Sequence, residues 1–371
     1  MQKKVLIVDD SALMRRVLSD IINLDSRFQV TKVATNGLEA LNLLVQEREV
    51  YDAILLDINM PKMSGLELLE QLDKHKVKAT VIIVSTVAKE GAKETIRALE
   101  LGAFDFVTKP DSFFDVKSDN FKNKIIDCLT VATKLYQVTA KDVLPLEQPT
   151  MSKVNPIESK KQPNIQLVQA ERPVKSLNTK KLVAIACSTG GPKALAQVIP
   201  LLTENLGCSV LIVQHMPEGF TASLANRLNE MSKIQVGEAA DKEIIKNGAA
   251  YIAKGGHQMR LLPAGNGSWQ LSVTEEPARN GLKPCADIMY ESLIDTDYSE
   301  IICVVLTGMG GDGTKGIKKL KEKKNIYVIA QDEVTSTVYG MPKVVAEAGL
   351  VNEIVPLNQI AGAILKNLGV C

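Results

Sequence analysis

The chain has 371 residues, 45% of them apolar and 23% charged, and a formal net charge of +1. That length predicts two or three globular domains, and the near-neutral balance excludes a strongly basic nucleic-acid binder or a protein drawn to anionic membranes. No apolar run approaches the roughly 20 residues that cross a bilayer, MQKKVLIVDD meets Asp9 and Asp10 too early for a signal peptide, and six cysteines without C-x-x-C spacing read as reduced thiols of a cytoplasmic protein.

Strand and helix alternate five times between Met1 and about Tyr136. Strands are predicted at Lys4 to Val8, Phe28 to Ala34, Tyr51 to Leu56, Thr80 to Val84 and Phe104 to Val107. Helices follow each, with Ser11 as a cap for the first and Gly102 as the stop of the fourth. This alternation implies a parallel sheet covered on both faces. Asp9, Asp10, Asp57, Ser85 and Lys109 all fall at carboxyl ends of strands, so they converge on one edge. Three carboxylates together require a cation, and a mixed set of carboxylate, water and phosphate oxygens suits Mg²⁺. A lysine and a hydroxyl beside them would bind a phosphoryl group.

VDDSALMR, LLDINMPKMSG, VST and FVTKP resemble a two-component receiver domain over residues 1 to 125. The resemblance implies a flavodoxin-like fold and phosphoryl transfer from a histidine kinase to Asp57. It implies Mg²⁺ held by Asp10, Asp57 and the backbone of Asn59, with Asp9 in support and with Lys109 and Ser85 contacting the phosphate and carrying the switch. Ser85 stands where many receivers have threonine; the hydroxyl is kept.

Residues 137–178 hold five prolines, no glycine and no aromatic residue, which predicts an extended linker, with Asn164 to Ala170 as a possible short element. The domains are accordingly placed at 1–136, 137–178 (linker) and 179–371. After the linker the alternation resumes. Leu182 to Ala186, Ser209 to Val213, Ile301 to Leu306 and Ile326 to Ala330 read as buried strands, with helices between them. Lys193 to Leu206 reads as one helix. Lys242 to Glu275 interrupts the pattern, and its short β-prone pieces (Ala250 to Ala253, Gln258 to Leu262, Trp269 to Val273) read as antiparallel hairpins.

Ser188, His215 and Asp312 each follow an apolar strand, so a shared sheet edge would bring them together. Serine needs an imidazole to take its proton, and the imidazole needs a carboxylate to hold its tautomer. His257, in a glycine-rich loop, is the rival base; His215 is preferred because a strand end fixes position better. The turn Thr307 to Gly313 lacks the G-K-[ST] of a P-loop and lacks an acidic residue for a dinucleotide ribose. It is also placed to offer backbone N–H groups, such as that of Met309, to an oxyanion. A non-enzymatic adaptor is the competing class.

IACSTGGP, VQHMPEGFTASLANRL, YIAKGGH, LTGMGGDG and QDEVTSTVYGMP resemble the catalytic domain of the chemotaxis protein-glutamate methylesterases (the CheB type) over residues 180 to 368. The resemblance implies a Rossmann-like hydrolase domain, making the whole an α/β protein of two doubly wound sheets. It implies hydrolysis of glutamate γ-methyl esters and deamidation of glutamines on methyl-accepting chemoreceptors, with no cofactor for the esterase step. Carried over, Ser188 is nucleophile, His215 base and acid, Asp312 the orienting carboxylate and Met309 an oxyanion donor. Cys187 replaces the usual alanine, and Lys283-Pro284-Cys285-Ala286-Asp287 departs from the usual Arg-Pro-Ser-x-Asp, which puts substrate-side contacts there in doubt.

Overall fold

A computed structural model describes residues 2–86, 88–110, 119–134 and 180–370. The linker, with its short element at Asn164 to Ala170, lies outside the described residues. The N-terminal sheet is entirely parallel, in the order β2-β1-β3-β4-β5. Its strands are β1 (Lys3–Val8), β2 (Phe28–Ala34), β3 (Ala53–Leu56), β4 (Val81–Ser85) and β5 (Asp105–Thr108). The central strands β1, β3 and β4 are apolar and buried along almost their whole length, as a sheet covered on both faces demands. The covering helices are α1 (Ala12–Asn23), α2 (Gly37–Leu41), α3 (Gly65–Lys74), α4 (Lys89–Glu100) and α5 (Asp119–Ala132). Ser11 caps α1 by accepting from Met14 N, and Ser64 and Glu67 form a reciprocal capping box on α3. After Leu41 the second helix widens into a π-helical stretch, Asn42–Gln46.

The C-terminal sheet has seven parallel strands in the order β14-β13-β12-β6-β7-β9-β8. These are β6 (Lys181–Cys187), β7 (Ser209–Gln214), β8 (Gln235–Glu238), β9 (Ala249–Ile252), β12 (Glu300–Val305), β13 (Ile326–Gln331) and β14 (Glu353–Val355). The one antiparallel pair is the hairpin of β10 (Gln258–Gly265) and β11 (Ser268–Thr274). The Ala250 to Ala253 piece is therefore not part of a hairpin insertion. Its residues are buried on both faces, the environment of an interior parallel strand, and it lies between β7 and β8. The helices are α6 (Gly191–Val198), α7 (Phe220–Met231), α8 (Ala286–Ser292), α9 (Thr314–Lys323), α10 (Met341–Glu347) and α11 (Leu357–Leu368). The helix expected from Lys193 to Leu206 ends early. Pro200 lacks the N–H that an α-helix needs, and Ile199–Leu201 tightens into a 3₁₀ turn before the chain leaves.

The two domains touch through α4 and β5 on one side and α6 and α7 on the other. The Phe106 and Phe220 rings lie 4.5 Å apart. Glu100, at the end of α4, accepts two hydrogen bonds from Arg227 at 2.7 and 3.1 Å. Thr189 Oγ1 donates to Asp105 Oδ2 at 2.6 Å. All five described cysteines are free thiols, and no helix among the described residues is long and apolar enough to cross a membrane.

Candidate active site and phosphoacceptor pocket

The C-terminal edge of the large sheet gathers the residues singled out in the second domain. β6 and β7 run in register to Cys187 and Gln214, so Ser188 and His215 are the next residues out on neighbouring strands. His215 N donates to Cys187 O at 3.1 Å, and Ser188 N to Thr307 O at 3.0 Å, which ties the Ser188 turn to the end of β12 as well. The turn is tight because two glycines follow. Gly190 has φ +79°, and a Cβ there would strike the Thr337 hydroxyl at 2.4 Å. Pro192 then starts α6.

His215 Nε2 and Asp312 Oδ2 are 2.8 Å apart, and both side chains are nearly buried. The structure thus brings His215, not His257, onto Asp312. His257 Nδ1 lies 3.1 Å from Gly255 O, and its Nε2 is 3.5 Å from Glu275. With Nε2 committed to the carboxylate, Nδ1 is the ring nitrogen left to take a proton. Among the described residues Ser188 Oγ has no hydrogen-bond partner, so the Ser188–His215 bond is not formed in this state. Met309 is exposed at the rim of the site.

Three contacts of this site could not be read from the sequence, although Cys187 and Cys285 stood out there as departures from the family pattern. Asp312 also accepts from Ala286 N at 2.6 Å, Asp287 N at 3.1 Å and Cys285 Sγ at 3.1 Å. The stretch around Cys285, where departures from the family pattern left substrate contacts in doubt, therefore grips the carboxylate partner of His215. Burial works to raise the Asp312 pKa, but the His215 pairing and these donors outweigh it and hold it at about 2. Burial pushes the Cys285 thiol up to about 12, so it remains a donor. Cys187 turns inward, with Sγ 3.7 Å from Val213 O, and burial raises its thiol well out of the reactive range. Finally, Gln214 bridges the Ser188 and His215 backbones, donating to Ser188 O and His215 O.

The receiver stands over this edge. A cleft of about 250 Å³ is lined by Thr189, His215, Pro217 and Met309 from below and by Asp105, Phe106 and other receiver residues from above. Asp105 is partly buried, and that burial raises its pKa against the opposing hydrogen bonds from Thr189 and Phe106 N.

At the opposite end of β5 lies the acidic pocket. Ligand oxygens of Asp9, Asp10 and Asp57 fall within 4.8 Å of one another. Lys109 Nζ bridges Asp9 at 2.9 Å and Asp57 at 2.8 Å. Burial and the Asp9 charge raise the Asp57 pKa while Lys109 opposes them, so the pocket favours added positive charge. An all-oxygen donor set of this size fits a hard divalent cation such as Mg²⁺, with Asp10, Asp57 and the Asn59 carbonyl as candidate holders. Bound there, the cation would neutralise phosphoryl oxygens. The Ser85 hydroxyl points to carbonyls of Thr86 and Gly91 at 3.4 and 3.3 Å, and the Asn59 side chain donates to Glu94 of α4 at 2.9 Å.

The fold and these two edges define a response regulator: a receiver with a phosphoacceptor pocket, joined to an α/β domain that carries a Ser/His/Asp cluster. Residues 5–117 match the family model for the response regulator receiver domain, and residues 183–364 match that for the CheB methylesterase. The protein-glutamate methylesterase/protein-glutamine glutaminase of Geobacillus kaustophilus is 41% identical over 99% of both chains, and that of Bacillus subtilis 39% over 97% of both. The crystal structure of the Thermotoga maritima CheB methylesterase catalytic domain is 39% identical with TM-score 0.49, covering 51% of this chain and all of that one. The chain belongs to the CheB family of protein-glutamate methylesterase/protein-glutamine glutaminases.

Proposed function

We propose that Ser188, His215 and Asp312 form the catalytic triad of a phosphorylation-gated esterase whose substrates are methylated glutamates of chemoreceptors. The observation that carries this reading is the 2.8 Å His215–Asp312 pair at the sheet edge one strand from Ser188. Ser188 Oγ attacks the γ-ester carbonyl while His215 Nδ1 takes its proton. Asp312 stabilises the imidazolium, and the Met309 N–H receives the oxyanion. The proton passes to the leaving methanol, and water then releases the glutamate carboxylate. A glutamine amide follows the same path with ammonia as leaving group.

The receiver, taken as residues 1–136, accepts a phosphoryl group from the chemotaxis histidine kinase at Asp57. Asp10, Asp57 and the Asn59 carbonyl hold Mg²⁺, supported by Asp9, and Lys109 and Ser85 respond to the phosphoryl group. The linker spans 137–178 and the esterase domain 179–371, and the protein works in the cytoplasm. Supporting the gate, receiver residues line the same cleft as His215 and Met309.

The test is methanol release from methylated receptor by the full-length protein with a small phosphodonor and Mg²⁺. Ser188→Ala is expected to lower kcat by about 10⁴-fold or more with an unchanged melting curve. Retained activity removes Ser188 from its role.

A further inference from the structure

We propose that Gln214 is a positioning residue for the esterase reaction, its single amide group setting the backbones of Ser188 and His215 relative to each other. This rests on the reading of those two residues as nucleophile and base.

Gln214 is the last residue of β7, paired in register with Cys187, and only 2% exposed. Its Nε2 donates to Ser188 O at 3.0 Å and to His215 O at 3.1 Å. The Ser188 carbonyl also accepts from Gly191 N at 2.7 Å, so two donors pin the nucleophile turn. The amide orientation follows from its partners. Turned over, the amide oxygen would face two carbonyl oxygens, which only repel it.

The remaining amide atom adds no stability of its own. Gln214 Oε1 is buried and has no hydrogen-bond partner among the described residues. A buried acceptor left unmade carries its full desolvation cost, and such an atom in a native structure calls for an explanation. Methionine has nearly the same shape; it would remove that cost together with the two donated hydrogen bonds, so the two changes offset each other in stability. What the polar side chain does here is hold the carbonyls of Ser188 and His215 on one nitrogen.

The turn is also shaped to admit it. A Cβ on Gly191 would sit 1.9 Å from Gln214 Oε1 and 2.9 Å from Cδ, so any larger residue at 191 displaces the amide. Nucleophile and base must hold their separation to within about 0.5 Å, and a misplacement of about 1 Å costs on the order of a hundredfold in rate.

The experiment measures methanol release by full-length protein, with saturating phosphodonor so that the receiver gate is open, alongside thermal melting. Gln214→Met is expected to lower kcat 10- to 100-fold with KM within about twofold and a melting temperature close to wild type, the relieved acceptor offsetting the two lost hydrogen bonds. Gly191→Ala should lower kcat by a similar factor, and the double variant should lose little more than the worse single variant, because both act by displacing one amide. Wild-type kcat in Gln214→Met overturns the proposal, as do fully multiplicative losses in the double variant. A fall in kcat matched by a clear fall in melting temperature assigns Gln214 to folding and overturns it too. Ser188→Ala separates the two readings. If that variant keeps its activity, the triad fails; if it is inactive while Gln214→Met turns over normally, only the positioning role fails.

Discussion

Asp312 accepts hydrogen bonds from His215, Ala286 N, Asp287 N and Cys285 Sγ on two oxygens, and this number of donors explains why a nearly buried carboxylate has a pKa of about 2. An aspartate that acidic is ionised throughout the working range, so its titration does not shape the pH profile of the esterase. Its charge does shape stability. The folded pKa lies below the usual value of about 3.9, so the carboxylate contributes roughly 2 kcal/mol that is fully present above pH 4 and is lost as pH falls through about 2. Asp312→Asn should lower kcat by roughly 10³- to 10⁴-fold, since a neutral amide neither fixes the tautomer nor stabilises the imidazolium. Urea denaturation should show the variant less stable than wild type at pH 7 and the two curves converging near pH 2. A constant gap across that range would mean the carboxylate is not held by these donors. That Ser188, His215 and Asp312 meet at one edge was legible in the sequence because each follows an apolar strand, and parallel strands in one sheet share an edge. Cys285 and Gln214 were not, because their roles depend on how far a side chain reaches across the edge, which periodicity does not encode.

At the scale of elements, α4 joins the acidic pocket to the second domain. Near its start, the Gly91 carbonyl accepts from Ser85 and Glu94 accepts from Asn59, beside the phosphoacceptor pocket. At its end, Glu100 takes two hydrogen bonds from Arg227 of α7. Its twelve residues span roughly 18 Å at 1.5 Å per residue. A helix of that length passes a small shift at one end to the other without unfolding. Arg227 is about a third exposed, so this ion pair is worth about 1 kcal/mol or less. Glu100→Gln should therefore raise the activity of the unphosphorylated enzyme by a modest factor, about fivefold at most, and leave the phosphorylated enzyme unchanged. Methanol release with and without phosphodonor checks this; an equal rise in both states would place Glu100 outside the gate. The alternation that identified α4 as a helix said nothing of this contact, because domain docking is fixed by tertiary surfaces. The same limit misplaced Ala250 to Ala253: a short apolar run after a glycine-rich stretch fits an edge hairpin or an interior parallel strand equally well, and only its burial on both faces decides.

For the whole molecule, the closed arrangement is a balance of a few weak contacts around one costly group. The Phe106–Phe220 pair contributes about 0.5–1.5 kcal/mol beyond burial. The Thr189–Asp105 hydrogen bond contributes about 1.5–3 kcal/mol if the carboxylate is charged. Against them stands the burial of Asp105 itself, which raises its pKa in the closed state and outweighs the hydrogen bonds from Thr189 and Phe106 N. When the domains part, Asp105 meets water and returns toward the ordinary range. The closed state thus binds a proton more tightly than the open one. The contribution of Asp105 to closure is fully present below its open-state pKa and is lost as pH rises through the raised value. Unphosphorylated activity, relative to phosphorylated activity at the same pH, should therefore climb across that window, and division by the phosphorylated rate cancels effects of pH that both states share. Substitutions at residue 105 should split in sign. Asp105→Asn keeps an oxygen for the Thr189 hydroxyl and removes the buried charge, so it should lower unphosphorylated activity and abolish the climb. Asp105→Ala loses the hydrogen bond as well and should raise unphosphorylated activity several-fold. If both variants moved the same way, the carboxylate at residue 105 would not be what balances the gate, and closure would rest on the aromatic and Arg227 contacts alone.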